Sequence, residues 1–128
     1  SHWITQSPSS MVLASFLVPN KNNSAAITVL KFPGQTGGLL QNVNRWLQQL
    51  ELEPIQLSQL NQYVQNGKTS NYTFQHVTIT NTNIQKGMIV FIIRDKNYSW
   101  FFKMFGDLEV VVSEKSNFTN FINSVKLP

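Results

Sequence analysis

Along residues 37–50, apolar and polar positions recur with the period of an amphipathic helix that follows a glycine-rich loop. The apolar positions are spaced by three, four and seven residues and so share one helical face: Leu39, Leu40, Val43, Trp46, Leu47 and Leu50. The polar residues between them are expected on the opposite face. The pattern predicts a helix over 39–50 that buries its apolar side.

The segments before this helix alternate as β-strands do. Residues 11–18 and 25–32 are each predicted to form a strand, with a polar hairpin loop over 20–24 between them. Residues 3–8 are expected to form a short N-terminal segment, with a turn at 7–10.

The second half of the chain begins with a short helical pattern and continues with strands. Apolar spacing over 57–64 predicts a second helix, and the Asn-Gly pair at 66–67 is a typical helix C-terminal stop. Residues 72–80, 88–93 and 98–105 then predict three strands joined by short turns, which is typical of an antiparallel meander.

The last two predicted strands are apolar on both faces, so both faces have to be covered. A final helix, predicted from Leu108 with Asp107 as its N-cap, can cover one of them. The order β-β-α-(α)-β-β-β-α predicts an α+β fold in which an antiparallel sheet lies between helices. The 128 residues contain no linker or repeat, so we expect a single domain over 1–128.

Composition and charge narrow the possible functions. Charged residues make up 12% of the chain, against about 25% in typical domains, and Asn and Gln replace them. The net charge of +4 comes from scattered cations, so we do not expect nucleic-acid binding. The lack of cysteine excludes disulfide and thiolate chemistry.

The chain does not begin with Met, and Ser1-His2 is interpreted as the remnant of an expression tag. On this interpretation an N-terminal signal or lipid anchor could have preceded Trp3, and a tether to the membrane is one alternative.

Three blocks of the sequence resemble a family of uncharacterised bacterial exported proteins, often lipoproteins. That family carries GG-x-x-x-NVNRW-x-x-Q, WFFK-x-x-G and F-x-x-F-x-x-S-V, which correspond here to residues 37–49, 100–106 and 118–125. The family has a small or polar residue near Phe105, so the aromatic residue here is a departure that affects the surroundings of Lys103. The predicted architecture is similar to the PsbP-like fold, which PsbP and Mog share.

The resemblance implies a location in the bacterial cell envelope, either periplasmic or lipid-anchored. It also implies a partner-binding function, since PsbP-like proteins are binding proteins rather than enzymes, although a shared fold does not establish a shared function. A protein is the expected partner, and a small ligand is the alternative.

The polar face of the predicted helix over 39–50 carries the best candidate binding residues. Asn42, Arg45 and Gln49 are spaced at i, i+3 and i+7 and are expected to form one stripe beside Trp46. Arg45 offers a planar fork for a carboxylate or a phosphate. The stripe could equally tie the helix to neighbouring loop carbonyls, and both roles stay open.

Lys103 is a further candidate because it interrupts an apolar strand. Its neighbours Phe101 and Phe105 are expected to point the same way. A buried lysine has a lowered pKa and can act as a base or a Schiff-base amine. The alternative is that Lys103 reaches the sheet edge or pairs with Asp107 or Glu109.

No motif indicates catalysis, a metal or a cofactor. His76 has no second ligand at metal-binding spacing, and no Gly-x-Ser-x-Gly elbow occurs. The loop at 34–38 lacks the Lys-Ser/Thr of a phosphate-binding loop, so its glycines are expected to allow a sharp turn and close packing of the helix on the sheet. We therefore expect no catalytic residue, metal or cofactor.

These observations leave three hypotheses. The first is a non-enzymatic exported binding domain, which predicts an exposed interaction patch. The second is a small-ligand carrier, which predicts an apolar, aromatic-lined cavity. The third is an enzyme that uses Arg45 and Lys103, which predicts that both cations converge in one concave site with an acid nearby.

Overall fold

A seven-stranded antiparallel sheet forms the centre of the protein in a computed structural model, which describes residues 4–6, 12–20, 23–33, 38–69, 71–95 and 97–126. The strands are β1 (Ile4–Gln6), β2 (Val12–Asn20), β3 (Asn23–Pro33), β4 (Val64–Lys68), β5 (Thr73–Asn81), β6 (Lys86–Arg94) and β7 (Tyr98–Asp107). The helices are α1 (Leu39–Gln49), a 3₁₀ helix (Leu57–Gln62) and α2 (Leu108–Ser124). These elements confirm the predicted α+β class with an antiparallel sheet.

The strand order is β1-β2-β3-β7-β6-β5-β4, which places β6 and β7 in the interior of the sheet. The chain leaves β3 and re-enters the sheet at the β4 edge, so α1 and the 3₁₀ helix lie in the crossover connection. The strands β5, β6 and β7 are sequential neighbours, as the predicted meander requires.

Alternate residues of β6 belong to two different hydrophobic clusters, because successive side chains of a strand point to opposite faces. Ile89, Phe91 and Ile93 pack in the cluster that contains Val110, Val111, Phe118 and Ile122 of α2. Met88, Val90 and Ile92 pack in the cluster that contains Val43, Trp46, Leu47 and Leu50 of α1. Each face of the central strands is thus buried by a different helix.

The structure differs from the predicted element order at β1 and β4. Residues 4–6 pair with β2, although three residues are too few to show a periodicity. The predicted second helix is a 3₁₀ helix that ends at Gln62, and Val64 already begins β4 by pairing with Val77. The turn predicted at 7–10 lies outside the described residues.

The helix stop predicted at 66–67 is wrong, because both residues lie inside β4. Gly67 is opposite Phe74, and a Cβ on Gly67 would lie 2.5 Å from the Phe74 ring. The glycine therefore provides room for an aromatic ring from the neighbouring strand, which local sequence does not reveal.

Asp107 occupies the N-cap position of α2, as predicted, but its side chain makes no capping hydrogen bond. Its carboxylate instead accepts hydrogen bonds from the Ser24 backbone N–H at 2.8 Å and from Lys86 Nζ at 2.7 Å. These bonds, that of Lys86 foremost, lower the pKa of Asp107. Asp107 therefore links the ends of three strands.

In the described part of the chain, no helix is both long enough and apolar enough to cross a membrane.

Among the described glycines, Gly106 of β7 approaches a neighbouring backbone most closely, namely that of β3. A Cβ on Gly106 would lie 2.4 Å from Ala25 Cα and 2.5 Å from the Ser24 carbonyl oxygen. We expect Gly106→Ser to lower the free energy of unfolding by about 3 kcal/mol, because backbone atoms cannot yield as a flexible side chain does. Urea denaturation measures this change.

The matched control is Gly38→Ser, since a Cβ on Gly38 meets nothing within 4 Å. Gly38 is the N-cap of α1, where serine is at least as favourable as glycine, so stability should rise by about 0.3 kcal/mol. Equal effects of the two substitutions would contradict the close approach at Gly106.

Candidate functional site

The outer face of α1 carries only two residues of the stripe that the sequence predicts, Arg45 and Gln49. Arg45 and Gln49 are exposed, whereas Asn42 is only 3% exposed and lies on the buried side of the helix. Asn42 falls three residues after Leu39 and four before Trp46, so it sits in the middle of the apolar stripe. Helical spacing could have identified this burial, because i−3 and i+4 neighbours share a face.

Trp46 is a core residue and offers no surface for a partner. It is 2% exposed, and its ring meets the Phe101 ring edge to face at a centroid distance of 6.0 Å. The Arg45 guanidinium carbon lies 5.9 Å from the Trp46 ring centroid, which is at the outer limit of a cation–π contact. Trp46 thus anchors α1 in the core, and its ring lies close to the Arg45 guanidinium.

Lys103 of β7 reaches across from the sheet to α1. Its Nζ donates a hydrogen bond to Gln49 Oε1 at 2.5 Å and lies 5.8 Å from the Phe105 ring centroid. Phe101 and Phe105 belong to the same cluster beneath α1, which confirms that they share the face of Lys103. The structure therefore brings Arg45, Gln49 and Lys103 together; we call these three residues the cationic cluster.

The charge of Lys103 is held in an unfavourable environment. Burial lowers its pKa to about 8, and the positive charge of Arg45 contributes to the same shift. The predicted pairing of Lys103 with Asp107 or Glu109 is wrong. Asp107 pairs with Lys86, and a carboxylate oxygen of Glu109 accepts a hydrogen bond from Asn23 Nδ2 at 3.1 Å.

A groove of about 490 Å³ lies beside the cationic cluster, between α1 and the segment that follows it. We call it the α1 groove, and its lining residues are Gln41, Asn44, Arg45, Gln48, Leu52 and Pro54. Arg45 belongs to both the groove and the cluster, so the two features form one continuous surface.

Asn44 holds the far wall of the α1 groove in place. Its Oδ1 accepts a hydrogen bond from Ile55 N–H at 2.8 Å, and its Nδ2 donates to the Ile55 carbonyl at 3.1 Å. The sequence indicated only that Asn44 is a polar surface position. It could not indicate the bridge, because the bonded groups are backbone atoms of Ile55, eleven residues further along the chain.

The C-terminal turn of α1 leads the chain into the segment with Leu52 and Pro54, which forms the far wall of the α1 groove. The Leu52 N–H donates to the Leu47 carbonyl at 2.9 Å and the Glu51 N–H donates to the Gln48 carbonyl at 3.0 Å, as in a Schellman motif. Glu51 has a φ of 57° at the position that glycine usually occupies. Asn81 Nδ2 donates to the Leu50 carbonyl at 2.8 Å and so ties this turn to β5.

A second groove of about 410 Å³ opens near the β4 edge, where Arg94 Nη1 donates a hydrogen bond to Gln75 Oε1 at 2.9 Å. Its other lining residues are Asn66, Gly67, Thr73, Phe74 and Ile92. Both grooves are open to solvent, and Phe74 is the one aromatic among the described residues that line them, so neither is the aromatic-lined cavity expected of a small-ligand carrier.

The remaining sequence candidates are His76 and the glycine-rich loop at 34–38. Within the described residues, no group of three His, Asp or Glu side chains is placed to hold a metal ion. His76 stacks on Phe91 at 5.1 Å, and burial together with the nearby Lys115 charge lowers its pKa. Most of the loop at 34–38 lies outside the described residues, and its last residue, Gly38, has open space where close packing was predicted.

Replacement of Lys103 should stabilise the protein. Lys103→Met keeps the apolar stem and removes the half-buried charge, so we expect the free energy of unfolding at pH 7 to rise by about 1 kcal/mol. The matched control is Lys86→Met, which removes the ion pair with Asp107 and should lower stability by up to about 1 kcal/mol.

The pH dependence gives an independent check. The unfolded state binds the proton of Lys103 more tightly than the folded state, so wild-type stability should increase as pH rises from about 8 through the ordinary lysine value of 10.5. The advantage of Lys103→Met should shrink over this interval. A constant difference from pH 7 to pH 11 would contradict the buried charge.

The Asn44 bridge is testable in the same way. Asn44→Ala leaves the Ile55 N–H and carbonyl without their partner, so we expect a loss of about 1–3 kcal/mol in the free energy of unfolding. Gln48→Ala, at an exposed position one turn further along α1, should be nearly neutral. Faster amide exchange at Ile55 in Asn44→Ala alone would locate the effect in the groove wall.

No protein-family model, curated protein or solved structure matches this chain significantly. The candidate site is therefore inferred from its geometry alone.

Proposed function

We propose that this protein is a non-enzymatic binding domain that contacts a partner protein through the outer face of α1. The observation that carries the proposal is the α1 groove, whose wall is fixed by Asn44 and whose rim carries Arg45. A groove with a fixed wall binds a partner at a lower entropic cost than a flexible surface does. The side-chain amides of Gln41 and Gln48 can pair with the backbone of a bound segment.

The enzyme hypothesis has less support from the same geometry. That hypothesis required Arg45 and Lys103 to line one concave site, but of the two only Arg45 lines the α1 groove, and Asp107 and Glu109 are engaged elsewhere. A general base or acid has to lie within hydrogen-bond reach of the reacting group. The neighbour that Lys103 contacts directly is the neutral amide of Gln49, which cannot serve this role.

Fold family and location belong to the proposal as well. We propose a PsbP-like αβα sandwich in the bacterial cell envelope, either periplasmic or tethered by a lipid anchor. The support is the resemblance of residues 37–49, 100–106 and 118–125, together with a helix packed on each face of the sheet.

The test is capture of a partner from an envelope extract by wild type and by two matched variants. Gln48→Trp fills the α1 groove from an exposed position, and Asn120→Trp adds the same bulk to the exposed side of α2. We expect Asn120→Trp to retain the captured protein and Gln48→Trp to lose it, each read by quantitative mass spectrometry.

Circular dichroism confirms that both variants are folded before capture. Equal capture by the two tryptophan variants would show that the partner uses another face. Capture of nothing by wild type, with a small molecule seen in native mass spectra, would favour the carrier hypothesis instead.

A further inference from the structure

We infer that the cationic cluster binds a carboxylate of an acidic segment in the partner protein. This inference rests on the proposed function and specifies which chemical group the α1 surface recognises. The carboxylate would lie between the Arg45 guanidinium, the Gln49 amide and the Lys103 ammonium.

The hydrogen bond between Lys103 and Gln49 determines which donors face the ligand. An ammonium group can only donate, so Gln49 must turn its oxygen toward Lys103 and its NH₂ group away from it. Arg45 precedes Gln49 by one helical turn, on the same side of α1. The cluster therefore presents guanidinium, amide and ammonium N–H groups to a ligand. Its acceptor, Gln49 Oε1, is already bonded to Lys103.

The cluster consists of two cations and one neutral amide, so its electrostatics favour a negative charge at this place. Burial is the larger cost to the Lys103 charge, and repulsion by Arg45 adds to it. The cross-strand neighbours of Lys103 are Thr28 and Val90, neither of which ionises. A bound oxyanion would compensate both cations, and hydrogen bonds between charged groups are the stronger kind.

The α1 groove favours an acidic protein segment over a nucleic acid. Apart from Arg45, the groove is lined by the neutral side chains of Gln41, Asn44, Gln48, Leu52 and Pro54. A nucleic acid requires a row of cations along its backbone, which these residues do not supply. Amides and two apolar side chains suit a peptide backbone with one acidic side chain placed on the cluster.

Binding of an acidic segment to the cationic cluster should weaken at alkaline pH. Because the pKa of Lys103 is about 8, its positive charge is lost as pH rises from 7 to 9, whereas Arg45 stays charged. The groups that face Lys103 are Arg45 and Gln49 from α1, Thr28 from β3 and Val90 from β6. Lys103 is therefore the group in this cluster that titrates over the interval.

The experiment titrates ¹⁵N-labelled protein with three probes: a blocked tetraglutamate peptide, a blocked tetraglutamine peptide and inorganic phosphate. We expect tetraglutamate to shift the amide signals of Arg45, Gln49 and Lys103 at pH 7, and tetraglutamine to leave them unchanged. Lys103→Met and Arg45→Ala should each weaken tetraglutamate binding about tenfold. Lys68→Met, which removes the same charge from an exposed site on β4, should bind as wild type does.

A wild-type protein that does not bind tetraglutamate, or that binds tetraglutamine equally well, would overturn the inference. Phosphate binding to the cluster without tetraglutamate binding would assign the site to a free oxyanion and would also overturn it. Loss of binding in Lys103→Met supports the inference when urea denaturation shows the variant to be at least as stable as wild type. If tetraglutamate fails while Gln48→Trp alone still loses the partner, the proposed function stands without this inference.

Discussion

Strands β6 and β7 are apolar on both faces, so water has to be excluded from both sides of the sheet at once. On one face α2 does this directly, because it begins at the residue after β7. On the other face the cover comes from α1, which lies far from β6 and β7 in sequence and reaches them through the crossover from β3 to β4. The burial of these two strands therefore dictates where both helices lie.

The candidate site arises because α1 packs on the second face of the sheet. Leu47 and Leu50 of α1 seal the core, and Gln49 between them faces outward above Lys103. Lys103 lies between Phe101 and Phe105 on the face of β7 that α1 covers, and α1 brings Arg45 close to it. The helix that completes the core thus also assembles the cationic cluster, so core packing and the proposed binding surface depend on the same element.

Elements with a strong local period could be predicted from the sequence. The period of α1, the alternation of β5 and the continuous apolar runs of β6 and β7 predicted these elements to within a few residues, since burial of one or both faces leaves a clear signal. Edge strands could not be predicted in this way. β1 is too short to show a period, and the Asn-Gly pair in β4 carries the local signature of a turn while the Phe74 ring decides its conformation.

The sequence by itself determined the α+β class, the apolar face of α1 and the candidacy of Arg45, Gln49 and Lys103, because these depend on side-chain type and on spacing along one element. The tertiary structure decided which groups meet. Packing buries Asn42 in the interior. Asp107 forms its hydrogen bonds with Lys86 and Ser24, and Lys103 forms its hydrogen bond with the Gln49 amide rather than with a carboxylate. Such pairings join residues from distant parts of the chain, and their energies depend on distance and burial, which exist only once the sheet and the helices have packed.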